Sequence, residues 1–180
     1  GGIANCRGGI TRAQAGGTLS MRELLEIAEV LRVIRSLTEW RSRCAGMETA
    51  LDERFDCLYP NKYLEERITS AILSEEEMSD HASPALADIR RKKRSASGRV
   101  REQLDKMIRS SAYQKYLQDP IVTIRSGRFV VPVRAECRGE VPGLVHDVSA
   151  TGSTYFVEPM SAVNANNALR ELQLKEKKEI

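Results

Sequence analysis

Ile-Val-Thr-Ile-Arg-Ser-Gly-Arg-Phe-Val-Val-Pro-Val-Arg, residues 121–134, and Gly-Leu-Val-His-Asp-Val-Ser-Ala-Thr-Gly-Ser-Thr-Tyr-Phe-Val-Glu-Pro, residues 143–159, decide the fold. They form the strand-rich part of a chain that otherwise reads as helix. β-branched and apolar residues fill 121–125 and 128–134, and only Ser126-Gly127 separates the two runs. A two-residue link with glycine between such runs predicts a hairpin, because glycine tolerates the positive φ of a tight reversing turn. Pro132 cannot donate to a ladder, so the second strand is expected to have a free edge there or to bend. Residues 143–148 and 154–158 predict a second pair, joined through residues 149–152. The expected unit is a small, antiparallel four-stranded sheet on a helical body.

Helical signals surround this patch. Ser20 followed by Glu23 is a capping box, and Leu24, Ile27, Leu31, Ile34 and Leu37 recur at helical spacing toward Gly46. A second helical stretch is expected over 48–58. A third follows Asn61, with Leu64, Ile68 and Ile72 on one stripe. Ser83-Pro84 suits an N-cap and first helical position, and no strong breaker follows until about Leu117. In that run Leu86, Lys93, Val100 and Met107 lie seven apart, as do Ile89 and Ala96. This seam fits an ordinary long core helix, or half of an antiparallel arm completed by a helix after the sheet.

Charge is distributed in blocks. The total is only +3, yet 48–80 holds ten acids against three bases and 90–109 holds nine bases against two acids. The basic run Arg90, Arg91, Lys92, Lys93 and Arg94, with Arg99 and Arg101, points to phosphate contact through Arg90, Arg91, Arg94 and Arg101. The competing reading is a solvated face, or one paired with the acidic block. An aromatic content of 5% argues against a stacking platform for single strands. Cys6, Cys44, Cys57 and Cys137 lack metal-site spacing, which predicts free thiols in a reducing cytoplasm.

Catalytic patterns are weak. Adjacent residues of a strand point to opposite faces, so His146 and Asp147 do not make a dyad, and a structural histidine bonded at the sheet end is expected. Nothing fixes the separation of Glu136, Glu140 and Glu158 as a carboxylate pair. The phosphate-loop pattern Gly-x-x-x-x-Gly-Lys-[Ser/Thr] does not occur in these 180 residues. The charged amphipathic run that ends at Ile180 has no stop signal, which suggests a piece of a longer protein. No apolar run reaches membrane-spanning length, so no membrane association is expected.

The segment 143–159 resembles a signature of the second bacterial MutS family, the branch that carries an Smr domain. Its neighbours agree: Ser110-Ser111-Ala112-Tyr113-Gln114-Lys115-Tyr116-Leu117-Gln118-Asp119-Pro120 before it, and Asn166-Asn167-Ala168-Leu169-Arg170-Glu171-Leu172 after it. The Gly-Gly-Thr-Leu-Ser run at 16–20 and Ala-Ser-Pro-Ala-Leu-Ala-Asp-Ile-Arg at 82–90 also fit. The resemblance implies long lever helices and favours the arm reading of the seam. It implies a cytoplasmic homodimer that uses ATP and Mg at full length and acts on branched or recombining DNA, or on stalled ribosomes through rRNA. The family's ATPase and Smr nuclease lie C-terminal to the matching region. No catalytic, cofactor or metal residue is therefore assigned, and this piece is expected to be non-catalytic.

The expected fold class is α+β, mainly α: residues 1–80 a helical part of a MutS-type core, 81–118 a long basic helix, 119–159 the sheet, and 160–180 the start of a second long helix. A stand-alone helical adaptor that binds a protein partner through the seam is the alternative.

Overall fold

The structure, a computed structural model, describes residues 3–44 and 46–180. The chain is mainly helical with one four-stranded antiparallel sheet, and it divides into two compact units, residues 1–84 and 85–180.

The first unit contains α1 (Arg7–Gln14), α2 (Met21–Arg43), α3 (Asp52–Asp56) and α4 (Lys62–Ala71). The capping box forms: the Ser20 hydroxyl accepts from the Glu23 amide, while the Glu23 carboxylate accepts from the Ser20 amide. Asn61 caps α4 by accepting from the Leu64 amide. The core here is small, with Ala28, Ile68 and Ile72 buried beneath Leu24, Leu25 and Ile27. Arg35 of α2 grips Glu65 of α4 through two bonds of 2.9 Å. The helix expected over 48–58 shrinks to the single turn of α3. Here the Asp52 carboxylate accepts from both the Thr49 amide and its hydroxyl, so a local side-chain turn replaces helix before that point.

The second unit opens within α5 (Pro84–Arg109), whose first residue closes the first unit. The helix expected to reach Leu117 ends eight residues earlier. Ser110 adopts an extended backbone, and its carbonyl accepts from the amides of Tyr113 and Gln114, which starts the short α6 (Ser111–Gln114). The strands are β1 (Thr123–Arg125), β2 (Arg128–Arg134), β3 (Gly143–Val148) and β4 (Thr154–Pro159), in spatial order β1-β2-β4-β3. Ser126 and Gly127 both take positive φ, 52° and 73°, as the hairpin requires.

Pro132 lies in an inner strand, not on an edge of the sheet. It pairs with Phe156 on one side. On the other side β1 stops opposite Val130, and the chain at Tyr116 and Gln118 takes over: the Arg134 amide donates to the Tyr116 carbonyl and the Gln118 amide to the Pro132 carbonyl. The missing N–H therefore falls past the end of β1, so no bond of the β1–β2 ladder is lost.

A last helix, α7 (Val163–Glu179), follows a 3-10 turn at Met160–Ala162. It returns along α5. Gln103 donates to the Ser161 carbonyl near the start of α7, and Arg90 reaches Glu176 near its end. Residue numbers fall along α5 as they rise along α7, so the two helices are antiparallel. Val100, Leu104 and Ile108 of α5, Phe129, Val131 and Val133 of β2, Val157 of β4 and Leu169 of α7 share one core. Each fully buried side chain of this size contributes about 1.5–3 kcal/mol.

Candidate nucleic-acid interface

The four arginines singled out on α5 do not share one environment. Arg90 is half-buried and donates through Nε to Oε1 of Glu176 at 2.8 Å. Lys93, the charged residue in the apolar seam, bonds to the other oxygen of the same carboxylate. Burial alone would raise the pKa of Glu176; Lys93 and Arg90 outweigh that and hold it below the ordinary carboxylate value. The seam lysine thus serves as one side of a two-cation clasp between α5 and α7. Arg91 is exposed and pairs with Asp88, which also takes Lys92. Arg94 and Arg101 are exposed and lie seven residues apart, on one stripe of α5. Arg91 points elsewhere: with Ser95 and Arg99 it recurs every fourth residue, on a different stripe.

The unit has a second polar centre, which joins the sheet to α7. Glu158 is fully buried. Its Oε1 accepts from Arg128 Nη2 at 2.7 Å and Asn166 Nδ2 at 2.9 Å; its Oε2 accepts from Arg128 Nε at 3.2 Å and His146 Nε2 at 2.5 Å. Four bonds fill the acceptor sites of one carboxylate. Burial pushes the Glu158 carboxyl up, but Arg128, His146 and Asn166 together hold it below its ordinary value. Arg128 also donates to Asn167 Oδ1 at 2.8 Å. Among the described residues no buried side-chain nitrogen or oxygen lacks a partner.

His146 reaches this carboxylate because it is the extra residue of a β-bulge between Val145 and Asp147. Asp147 turns to Arg125 at 3.2 Å, and that guanidinium lies 4.2 Å over the Phe156 ring. A general base needs a lone pair within reach of substrate, and those of Glu158 are used internally. Gly143 is fixed by the same packing: a Cβ there would stand 2.1 Å from the Glu158 carbonyl oxygen.

Asn166 has a further task. Continuing the β2–β4 register places Pro159 opposite Phe129, and proline has no amide hydrogen to give. The Asn166 side chain substitutes for the missing strand. Its Oδ1 accepts from the Phe129 amide, and its Nδ2 donates to the Phe129 carbonyl, both at 3.1 Å. Sequence reasoning found neither this bridge nor the partners of Glu158. The Asn166-Asn167 pair just after Glu-Pro was the available signal.

All four cysteines are free thiols, and no cluster of metal-ligating side chains occurs among the described residues. No described helix is long and apolar enough to cross a membrane.

The second unit is thus a pair of antiparallel helices with a small sheet between them in the chain, the strand pair of 143–159 included. The relatives specify the branch. The chain is 48% identical over 183 aligned residues to an endonuclease MutS2 of Acetivibrio thermocellus, 44% identical over 182 to one of Ruminiclostridium cellulolyticum, and 46% identical over 181 to one of Clostridium beijerinckii. Each alignment takes in 99–100% of this chain and 23% of the relative. The chain matches a segment of MutS2 proteins along its whole length and spans about a quarter of the length of the curated relatives it matches. No family model matches it.

Proposed function

We propose that this segment is the non-catalytic core and lever portion of a MutS2-type protein whose whole form is a cytoplasmic, homodimeric, ATP- and Mg-dependent DNA-binding endonuclease. Identity of 44–48% along the entire chain to proteins named endonuclease MutS2 carries the reading. The work of the whole protein is suppression of recombination at branched DNA, or rescue of collided ribosomes. The segment's part is mechanical: nucleotide state elsewhere biases the position of the arm, and the arm moves its sheet. The clasp at Glu176 and the knot at Glu158 support this, since an arm transmits motion only when its helices and sheet move together.

In this reading Arg91, Arg94 and Arg101 make weak phosphate contacts without sequence preference, while Arg90 serves the clasp. Filter binding of a DNA duplex to the 180-residue chain across a salt series tests it. Affinity should fall by about 0.9 log unit per log unit of salt for each phosphate neutralised. Changing the three exposed arginines to Ala should weaken binding to all duplexes alike and flatten the slope, while the urea melt shifts by at most about 1 kcal/mol for each exposed pair lost. Unchanged duplex affinity in the triple variant would overturn the phosphate assignment. Calorimetric titration with ATP should show no saturable binding.

A further inference from the structure

The two helices of the arm leave a groove of about 530 Å³ along one side. Its floor is apolar: three short side chains, Ala96 from α5 with Ala165 and Ala168 from α7, and Leu172 of α7. One wall is cationic and comes from α5 alone, through Arg91, Lys92 and Arg99. Three cations share this wall with a single carboxylate, Asp88, and Arg99 has a neutral partner, the Ser95 hydroxyl at 3.1 Å. The wall therefore keeps a net positive charge.

We propose that this groove seats one α-helix of a protein partner, amphipathic, with an apolar face on the alanines and acidic residues along the edge that meets α5. Short floor residues let a helix backbone come within the usual 8–10 Å of both arm helices, converting two helices into three. The acids belong on one edge only, because the lining that α7 supplies is uncharged. Lys92 and Arg99 lie seven residues apart, so the partner's acids recur at about two helical turns. The apolar floor decides against a nucleic-acid backbone as the occupant, since phosphates would use the wall and leave the floor wet. Arg91 belongs to both readings, but Arg94 and Arg101 lie on a different stripe of α5 from the groove, and Lys92, Arg99 and the apolar floor take no part in the phosphate reading.

The test is fluorescence anisotropy on the 180-residue chain with two synthetic helical peptides of about three heptads. Both carry Leu and Ala on one face; one has Glu along a single edge, the other Lys. The Glu peptide should bind saturably, and the Lys peptide more weakly. Ala168→Phe fills the groove from an exposed position and should weaken the Glu peptide about tenfold or more. Arg99→Glu should weaken the Glu peptide and strengthen the Lys peptide. Far-UV circular dichroism checks that both variants keep the fold. Equal binding of the two peptides, no binding of either, or full binding of the Glu peptide to Ala168→Phe would overturn the proposal. So would a DNA duplex that displaces the peptide and itself binds Ala168→Phe more weakly, because the groove would then be a nucleic-acid site.

Discussion

The two units of this chain solve the same problem with different materials. Among the described residues, 1–84 bury three small or medium apolar side chains and one paired carboxylate, Glu65 on Arg35, and otherwise rely on exposed or half-exposed ion pairs such as Arg12–Glu23 and Arg41–Asp52. Residues 85–180 bury a core fed by two helices and two strands, and add a fully buried carboxylate with every lone pair occupied. Exposed pairs contribute little each, whereas breaking a buried charged network strands its partners without solvent. The second unit is thus built to hold one arrangement, and the first depends on local helix signals.

That contrast is open to direct attack, because the chain's single tryptophan, Trp40, lies in the first unit. Its fluorescence reports that unit, while far-UV circular dichroism reports both. The largest effect should come from Glu158→Ala, which leaves the half-buried Arg128 without its anion. A loss of about 3–5 kcal/mol is expected in urea unfolding, seen in the dichroism and not in the Trp40 transition. Equal shifts in both signals would show that the units unfold as one and would break the comparison.

A smaller effect should appear on acidification. Glu158 and Glu176 both have folded pKa values below their unfolded ones. Their contribution is complete above the ordinary glutamate value of about 4.3 and is lost as pH falls through the lower folded values. Glu23, held at about 2 by Arg12 and the Ser20 amide, behaves likewise in the first unit. Urea midpoints measured from neutral pH down to the acid limit should decline in this window. A dichroism-detected midpoint that is flat through it would remove the electrostatic account of the second unit.

The smallest effect belongs to the first unit. Ser20→Ala removes the capping box of α2 and should cost about 1 kcal/mol, read in the Trp40 transition. If it shifts only the dichroism, the assignment of signals to units is wrong.

Much of this fold was legible from local pattern. The Ser20–Glu23 box, Asn61 before α4, Pro84 at the start of α5 and the Ser126-Gly127 turn each depend on neighbours within a few positions. What escaped depends on distant ones. Lys93 looks misplaced in an apolar seam until Glu176, 83 residues on, comes alongside. Glu158 looked like an unplaced acid because Arg128 lies 30 residues before it and His146 reaches it only through a bulge. Pro132 read as the mark of a free edge or a bend because periodicity does not reveal how short β1 is. At the candidate interface, Arg90 and Arg91 read alike in sequence; only the return of α7 turns one into a clasp and leaves the other at a groove.

The Asn166 bridge sets the stiffness of the joint. β4 passes through one 3-10 turn straight into α7, and within its first turn that helix is tied to β2 by a paired amide. No slack residue remains between sheet and helix. A twist applied at the far end of α7 is therefore delivered to the sheet as torque rather than absorbed by a loop, so the direction of the helix axis and the orientation of the sheet behave as one degree of freedom.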